Sequence, residues 1–235
     1  METTLHQQLK EVFREPGSQT EVKFGRYRID VVNGPRLVEI QQSGLAAIRR
    51  KVGDLLNRHP VDIVKPLVLR KRLVKLDRQQ GAIVDQRWSP RRGSILDLFD
   101  ELLYFTRLFP HPNLRIFVPL IEIEEIRYPG HGRRRRRRDS DYVVQDRALM
   151  AIHDIPIFTQ ASDLHGILPG SLAEPFDTAE LARGLDIPRW AAQRMTYVMR
   201  KTGALQIVAK RKNANLYQKT TDQATDDTLL TRRAG

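Results

Sequence analysis

Apolar residues recur at helical spacing near the start of the chain, at Leu5, Leu9, Val12 and Phe13, which predicts a short amphipathic helix over 3–14. Pro16 and Gly17 stop it. The period then shortens to two: residues 21–24 and 26–32 read as strands broken at Gly25, and the turn Asn33-Gly34-Pro35 leads into a strand over 36–41. Leu45, Ile48, Val52, Leu55 and Leu56 predict a helix over 44–58, with Ser43 as its N-cap. One apolar strand is expected over 61–69, crossed by Lys65-Pro66, with 73–76 pairing against Ile83 and Val84. Ser94 and Asp97 open a helix running to about Leu108, and 114–126 reads as a single long strand.

The pattern breaks at 129–140, where Pro129, Gly130 and Gly132 lead into Arg133, Arg134, Arg135, Arg136, Arg137 and Arg138. A block of like charge repels itself unless a polyanion compensates it, so a domain boundary is expected there. The expected division is a first domain over 1–128, an Arg-rich linker over 129–145, a second domain over 146–219 and a flexible tail over 220–235. In the second domain a short strand over 149–155 and a brief turn capped by Ser162 precede two helices. The first covers 178–185 behind the cap Asp177; the second covers 189–202, with Gly203 at the position after its end. Residues 205–209 and 215–217 then form a hairpin across Lys210, Arg211, Lys212 and Asn213. Strands and helices so mixed predict an α/β protein with a central mixed sheet flanked by helices.

Composition narrows the chemistry. The 235 residues contain no cysteine, which excludes disulfides, thiolate zinc sites, iron–sulfur clusters and thiol catalysis. The six histidines lack zinc-ligand spacing, and no P-loop or Gly-rich dinucleotide motif is present. No apolar run approaches the length of a membrane span and the N-terminus lacks a signal-peptide core, so a cytoplasmic protein with no membrane partner is expected. The net charge is +12, with Lys plus Arg at 40 and Asp plus Glu at 28, and the clustering of arginine is the electrostatic footprint of a nucleic-acid binder.

The sharpest local signal is the hairpin 26–41. A loop of Gly34-Pro35 sets Asp30 opposite Glu39 and Arg28 opposite Gln41 on one face, with Ile29, Ile40, Val31 and Val38 on the other. Two opposed carboxylates repel, and the pair becomes favourable when a divalent cation sits between them. From the residues alone, a surface hairpin with two solvated acids is the competing reading.

The order helix, strand, strand with Asp30, strand with Glu39-Ile40-Gln41, helix, strand resembles the PD-(D/E)XK nuclease superfamily over residues 3–70. The resemblance implies a restriction-endonuclease-like fold in which Asp30 and Glu39 bind Mg²⁺ or Mn²⁺. The third motif position, usually a water-activating Lys, is Gln41 here; some nucleases of the superfamily carry Gln there and others recruit a basic residue from the next helix, which makes Arg50 and Lys51 candidates. A further acid from the first helix would be Glu11, with Glu21 as its rival.

Residues 174–219 resemble a winged helix-turn-helix DNA-binding domain, carried by Asp177-Thr-Ala-Glu-Leu-Ala182, Arg200-Lys-Thr-Gly203 and the basic hairpin. Ala191 or Ala192, Met195, Val198 and Met199 would face the core, while Arg189, Gln193, Thr196, Tyr197 and Arg200 would meet a DNA groove. Lys210, Arg211 and Lys212 would reach phosphate or the minor groove. The function implied is DNA binding with Mg²⁺-dependent phosphodiester hydrolysis, acting on double-stranded DNA. A homodimer would supply the two active sites that cutting both strands needs. Two other readings stay open: a DNA-binding regulator whose nuclease-like site is inactive, and an RNA-binding or RNA-processing factor.

Overall fold

The computed structural model describes residues 3–130 and 141–221. The protein is mixed α/β, and the chain divides into two compact units, the first ending at Thr159 and the second beginning at Gln160. The arginines 133–138 and the tail beyond Thr221 lie outside the described residues. No helix among the described residues is long and apolar enough to cross a membrane.

The first unit starts with helix α1, Thr4–Val12, whose N-cap Thr3 accepts a hydrogen bond from the His6 N–H. Strands β1 (Gln19–Phe24), β2 (Tyr27–Asn33) and β3 (Arg36–Ile40) follow as an antiparallel meander. The β2–β3 turn has Gly34 at φ +52°, and the pairs Asn33–Arg36, Val32–Leu37 and Val31–Val38 give the register expected from the alternation. After a 3₁₀ turn at Leu45–Ile48 comes α2, Arg49–Leu56, and then β4, Val61–Val64, parallel to β3. Ser43 does not cap this helix. Gly44 precedes the turn, the Ser43 hydroxyl accepts from Gln41, and the Leu45 N–H is accepted by Glu101 Oε2 instead.

Two strands expected to be continuous are each broken. Residues 61–69 split into β4 and β5 (Leu67–Leu76), and 114–126 into β7 (Leu114–Phe117) and β8 (Leu120–Pro129). β6, Ile83–Trp88, pairs with β5 as expected. The breaks fall at Pro66 and Pro119, which have no N–H to give to a ladder. β4 runs parallel to β7 and β5 parallel to β8, so the same pair of chains turns the corner together from one sheet into the next. The Lys65 N–H bonds to Phe117 O and the Leu67 N–H to Pro119 O across that corner. The expected helix to Leu108 is also shorter: after the Ser94–Asp97 capping box, α3 covers only Leu98–Leu102.

The expected boundary at 129–145 is corrected. Strand β9 covers Tyr142–Asp154, not just 149–155, and pairs along β8 from Pro129–Tyr142 to Leu120–Asp154. β10, Ile157–Phe158, pairs with β7. β8 and β9 both belong to the first compact unit, so the division of the chain falls after Thr159 and not at 129–145. The sheets are β1-β2-β3-β4-β7-β10 and β6-β5-β8-β9. Leu5 and Leu9 of α1 pack with Val31, Val38, Ile40, Val64, Ile121 and Ile123, which come from both sheets. Thr4 and Gln8 of α1 bond to Asp146 and to the Leu149 N–H of β9.

The second unit contains a 3₁₀ segment at Ala161–Ile167, helices α4 (Thr178–Leu185) and α5 (Arg189–Lys201), and the hairpin β11 (Leu205–Arg211) and β12 (Ala214–Lys219). The turn at 161–167 is preceded by Gln160 as cap, not by Ser162. Asp177 and Glu180 complete a capping box on α4, Asp186 ends it at φ +51°, and Gly203 at φ +86° lets the chain leave α5. Leu181, Ala192, Met195, Val198, Met199 and Leu205 form its interior.

Candidate functional site

Three acids stand at one level across the first meander. Thr20 and Val22 pair with Val31 and Ile29, so Glu21 lies level with Asp30; continuing the Val31–Val38 pairing sets Asp30 level with Glu39. Described pairing between β2 and β3 stops at Val31–Val38, and the Ile40 N–H donates to Asp30 Oδ2 at 2.7 Å. The two strands part there, and the Asp30 carboxylate takes up a backbone donor that the ladder leaves.

Each acid meets a basic side chain from α1 or α2. Lys51 of α2 donates from Nζ to Glu39 Oε2 at 2.5 Å and to the Arg28 carbonyl at 2.5 Å. His6 of α1 lies 3.4 Å from Asp30 Oδ2. Glu21 is held by Lys10 of α1 and by Arg28. Glu39 is only 8% exposed, and burial, together with the charge of Asp30, pushes its carboxyl above the usual range against the pull of Lys51. Burial also pushes Asp30 up, but His6 and the Ile40 N–H outweigh it and hold this carboxyl below the usual range. Neighbouring carboxylates with their pKa values driven apart are a recurrent feature of reactive sites.

Two expected members are placed elsewhere. Gln41 Nε2 donates to Ser43 Oγ at 2.6 Å and to the Gly44 carbonyl at 3.0 Å, so its amide braces the entry to α2 and Lys51 is the cation beside Glu39. Glu11 is exposed on α1 with its carboxylate clasped by Arg14, one turn on, at 2.9 and 3.0 Å. Arg50, the other candidate for the displaced cation, is exposed. Sequence reasoning missed His6. Its signal was the spacing to Lys10, which puts both on one stripe of α1, and a single histidine outside any ligand spacing has no motif to announce it.

Among the described residues no three His, Cys, Asp or Glu side chains converge as a metal cage. A two-carboxylate set suits Mg²⁺, which accepts one or two carboxylates and fills its other positions with water and substrate oxygens. Asp30 and Glu39 meet that requirement, since the charge of one already disfavours ionisation of the other. The contacts above engage Oδ2 and Oε2, so Oδ1 and Oε1 are the oxygens a cation would take.

In the second unit a cleft of about 500 Å³ opens between α5 and the hairpin. Arg189, Gln193, Thr196 and Arg200 from α5 and Asn213 and Asn215 from the hairpin line it. Arg189, Gln193 and Arg200 are exposed, as are Lys210 and Lys212 at the hairpin end. Two residues depart from expectation. Thr196 is 1% exposed and its hydroxyl donates to the Gln193 carbonyl, which places it on the inner side of the helix. Arg211 is tied to Asp177 Oδ2 at 2.6 Å and Glu180 Oε1 at 2.9 Å, so it fastens the hairpin to the start of α4.

Residues 3–159 match a family described as a domain of unknown function, DUF8091, and the chain belongs to that family. The match ends where the first compact unit ends. The chain is also similar to an uncharacterized protein of Treponema pallidum (strain Nichols), 30% identical over 222 residues, which covers 93% of this chain and 85% of that protein. No solved structure matches.

Proposed function

We propose that the protein is a DNA-binding, Mg²⁺-dependent nuclease. On this reading the first unit is a PD-(D/E)XK-type catalytic domain and the second a winged helix that docks the duplex. The observation that carries it is Lys51 Nζ on Glu39 Oε2 beside Asp30, where β2 leaves β3. The order α1-β1-β2-β3-α2-β4, with β4 parallel to β3, supports the same reading.

Asp30 and Glu39 would hold the cation through the oxygens their present partners leave. The bound ion supplies charge neutralisation at the phosphate and lowers the pKa of a water. Lys51 Nζ, held on Glu39, would donate to a non-bridging phosphate oxygen or to the attacking water. The Ile40 N–H and His6 fix the Asp30 carboxylate in rotation, and the low exposure of Glu39 keeps water from screening the charges. Arg189, Gln193 and Arg200 would contact the duplex.

A second reading, a DNA-binding regulator with an inactive site, is favoured by one observation: Lys51 and His6 of the chain itself already lie against the two carboxylates. Plasmid DNA incubated with the full chain and Mg²⁺ or Mn²⁺ separates the two. Nicked or linear product is expected, with loss of about a thousandfold in Asp30→Ala, Glu39→Ala and Lys51→Ala, an effect of about 4 kcal/mol on the barrier. Tight DNA binding with no cleavage under either metal would overturn the nuclease and leave the regulator.

A further inference from the structure

The four-stranded sheet ends in β6, and every residue of β6 is exposed. Among the described residues nothing pairs with its outer edge. The Ser89 N–H donates to Lys71 O, and hydrogen-bonded pairs recur at every second residue, so Arg87 and Asp85 turn their backbone groups inward to Leu73 and Lys75. Gln86 and Trp88 therefore turn theirs outward. A register shift at Lys75/Leu76 ends the regular stretch next to Val84.

Exposed edges are usually blunted by proline, by bulges or by a row of charged side chains. β6 reads Ile-Val-Asp-Gln-Arg-Trp, with one acid, one base and no proline. Ile83 and Val84 are more than half exposed, and Trp88 stands open beside them with Arg70 stacked over its ring at 4.2 Å. The segment Asp85-Gln86-Arg87 is self-complementary about its middle residue, and that residue is one whose backbone faces outward.

We propose that β6 pairs antiparallel with β6 of a second copy of this chain, about a two-fold axis at Gln86, joining two four-stranded sheets into one of eight strands. Gln86 then exchanges backbone hydrogen bonds with its own counterpart. Asp85 stands opposite Arg87 of the partner subunit, and Arg87 opposite Asp85 of the partner subunit. Both are non-hydrogen-bonded positions, where facing side chains approach most closely. Centring the pairing on Asp85 or on Arg87 would oppose like charges and would put inward-turned backbone on the axis. A two-fold contact of this kind is closed and isologous, so it stops at a dimer.

Sedimentation equilibrium of the full chain tests the pairing. A monomer–dimer equilibrium is expected for the wild type. Asp85→Arg and Arg87→Asp each set two pairs of like charge against one another and raise the dissociation constant about tenfold or more. The double variant Asp85→Arg/Arg87→Asp restores the opposite-charge pairs and returns the constant to near the wild-type value. Both side chains are exposed, so at concentrations well below the dissociation constant the melting curves of all three variants should overlay the wild type. A wild type that is monomeric at its highest soluble concentration would overturn the proposal. So would a dimer that the single variants leave intact, or a double variant as weak as the singles. The result is independent of DNA cleavage, which none of these measurements reads.

Discussion

Charge is handled in opposite ways in the two units. In the first, buried acids are each met by cations drawn from distant parts of the chain: Asp62 by Arg36 and Arg115, Glu125 by Lys71 and Arg147, Glu39 by Lys51. In the second, Arg189 and Arg200 line an open cleft, and no carboxylate among the described residues is paired with either. Compensated charges in a dry setting are held in fixed geometry, which is what chemistry on a substrate needs. Uncompensated charges in water keep their counterions until a polyanion displaces them, which is what docking needs. On the proposed reading, the contrast separates a unit suited to reaction from a unit suited to binding.

The largest effect that tests the contrast is on folding. Asp62 is 4% exposed, between Arg36 Nε at 2.8 Å and Arg115 Nε at 2.8 Å. Asp62→Asn leaves two guanidinium groups facing a neutral amide and should destabilise the first unit by about 3 kcal/mol at neutral pH. Burial pushes the Asp62 carboxyl up, but the Arg115 and Arg36 hydrogen bonds outweigh it and hold it below the usual range. The folded pKa is thus the lower one. Its contribution is complete above the unfolded value of about 3.9 and is lost as pH falls through the folded value. Urea titrations should therefore show the gap between wild type and variant at pH 7 closing in strong acid. An equal gap at both ends would break the claim that these buried charges hold one another.

The meander was legible for the same reason that it is stable. Ile29, Val31, Val38 and Ile40 alternate with Asp30 and Glu39, and a slip of one residue would bury the acids in the apolar layer. Gly34-Pro35 marked the loop. The corner at Pro66 and Pro119 was not legible, because each apolar run reads as continuous by itself and only the pairing of β4 with β7 and β5 with β8 shows that both turn together. The early part of β9 escaped notice because its ties to α1 are polar, through Asp146 and the Leu149 N–H. For Gln41 the spacing pointed to the acidic face, but Ser43 and Gly44 lie nearer its amide than the acids do. Motif spacing fixes which side of a strand a residue leaves from; the last bond rotations answer to neighbours.

A smaller effect sharpens the docking half of the contrast. Arg189→Ala and Arg200→Ala should each weaken duplex binding by about tenfold, and each should reduce the log–log salt slope by about one where the guanidinium meets phosphate. Fluorescence anisotropy over a salt series measures both. Neither variant should change the melting of either unit, because both side chains lie in solvent. A loss of affinity with unchanged slope would move the contact from phosphate to a base edge.

The smallest effect is expected at Arg211, which is why it discriminates best. By sequence it belongs with Lys210 and Lys212 at the hairpin end, and a purely electrostatic view would give all three the same part in binding. Its guanidinium, however, bridges Asp177 and Glu180 at the start of α4, where both carboxylates also serve the helix cap. A cation already shared by two acids adds little net positive potential for a phosphate, and an exposed pair adds little to folding. Arg211→Ala should therefore leave the salt slope of DNA binding unchanged and lower the melting temperature of the second unit by about one degree, while Lys210→Ala and Lys212→Ala lower the slope and leave the melting unchanged. If Arg211→Ala flattens the salt dependence as much as Arg189→Ala does, the bridge opens on binding and the division between paired and unpaired charge does not decide which residues dock.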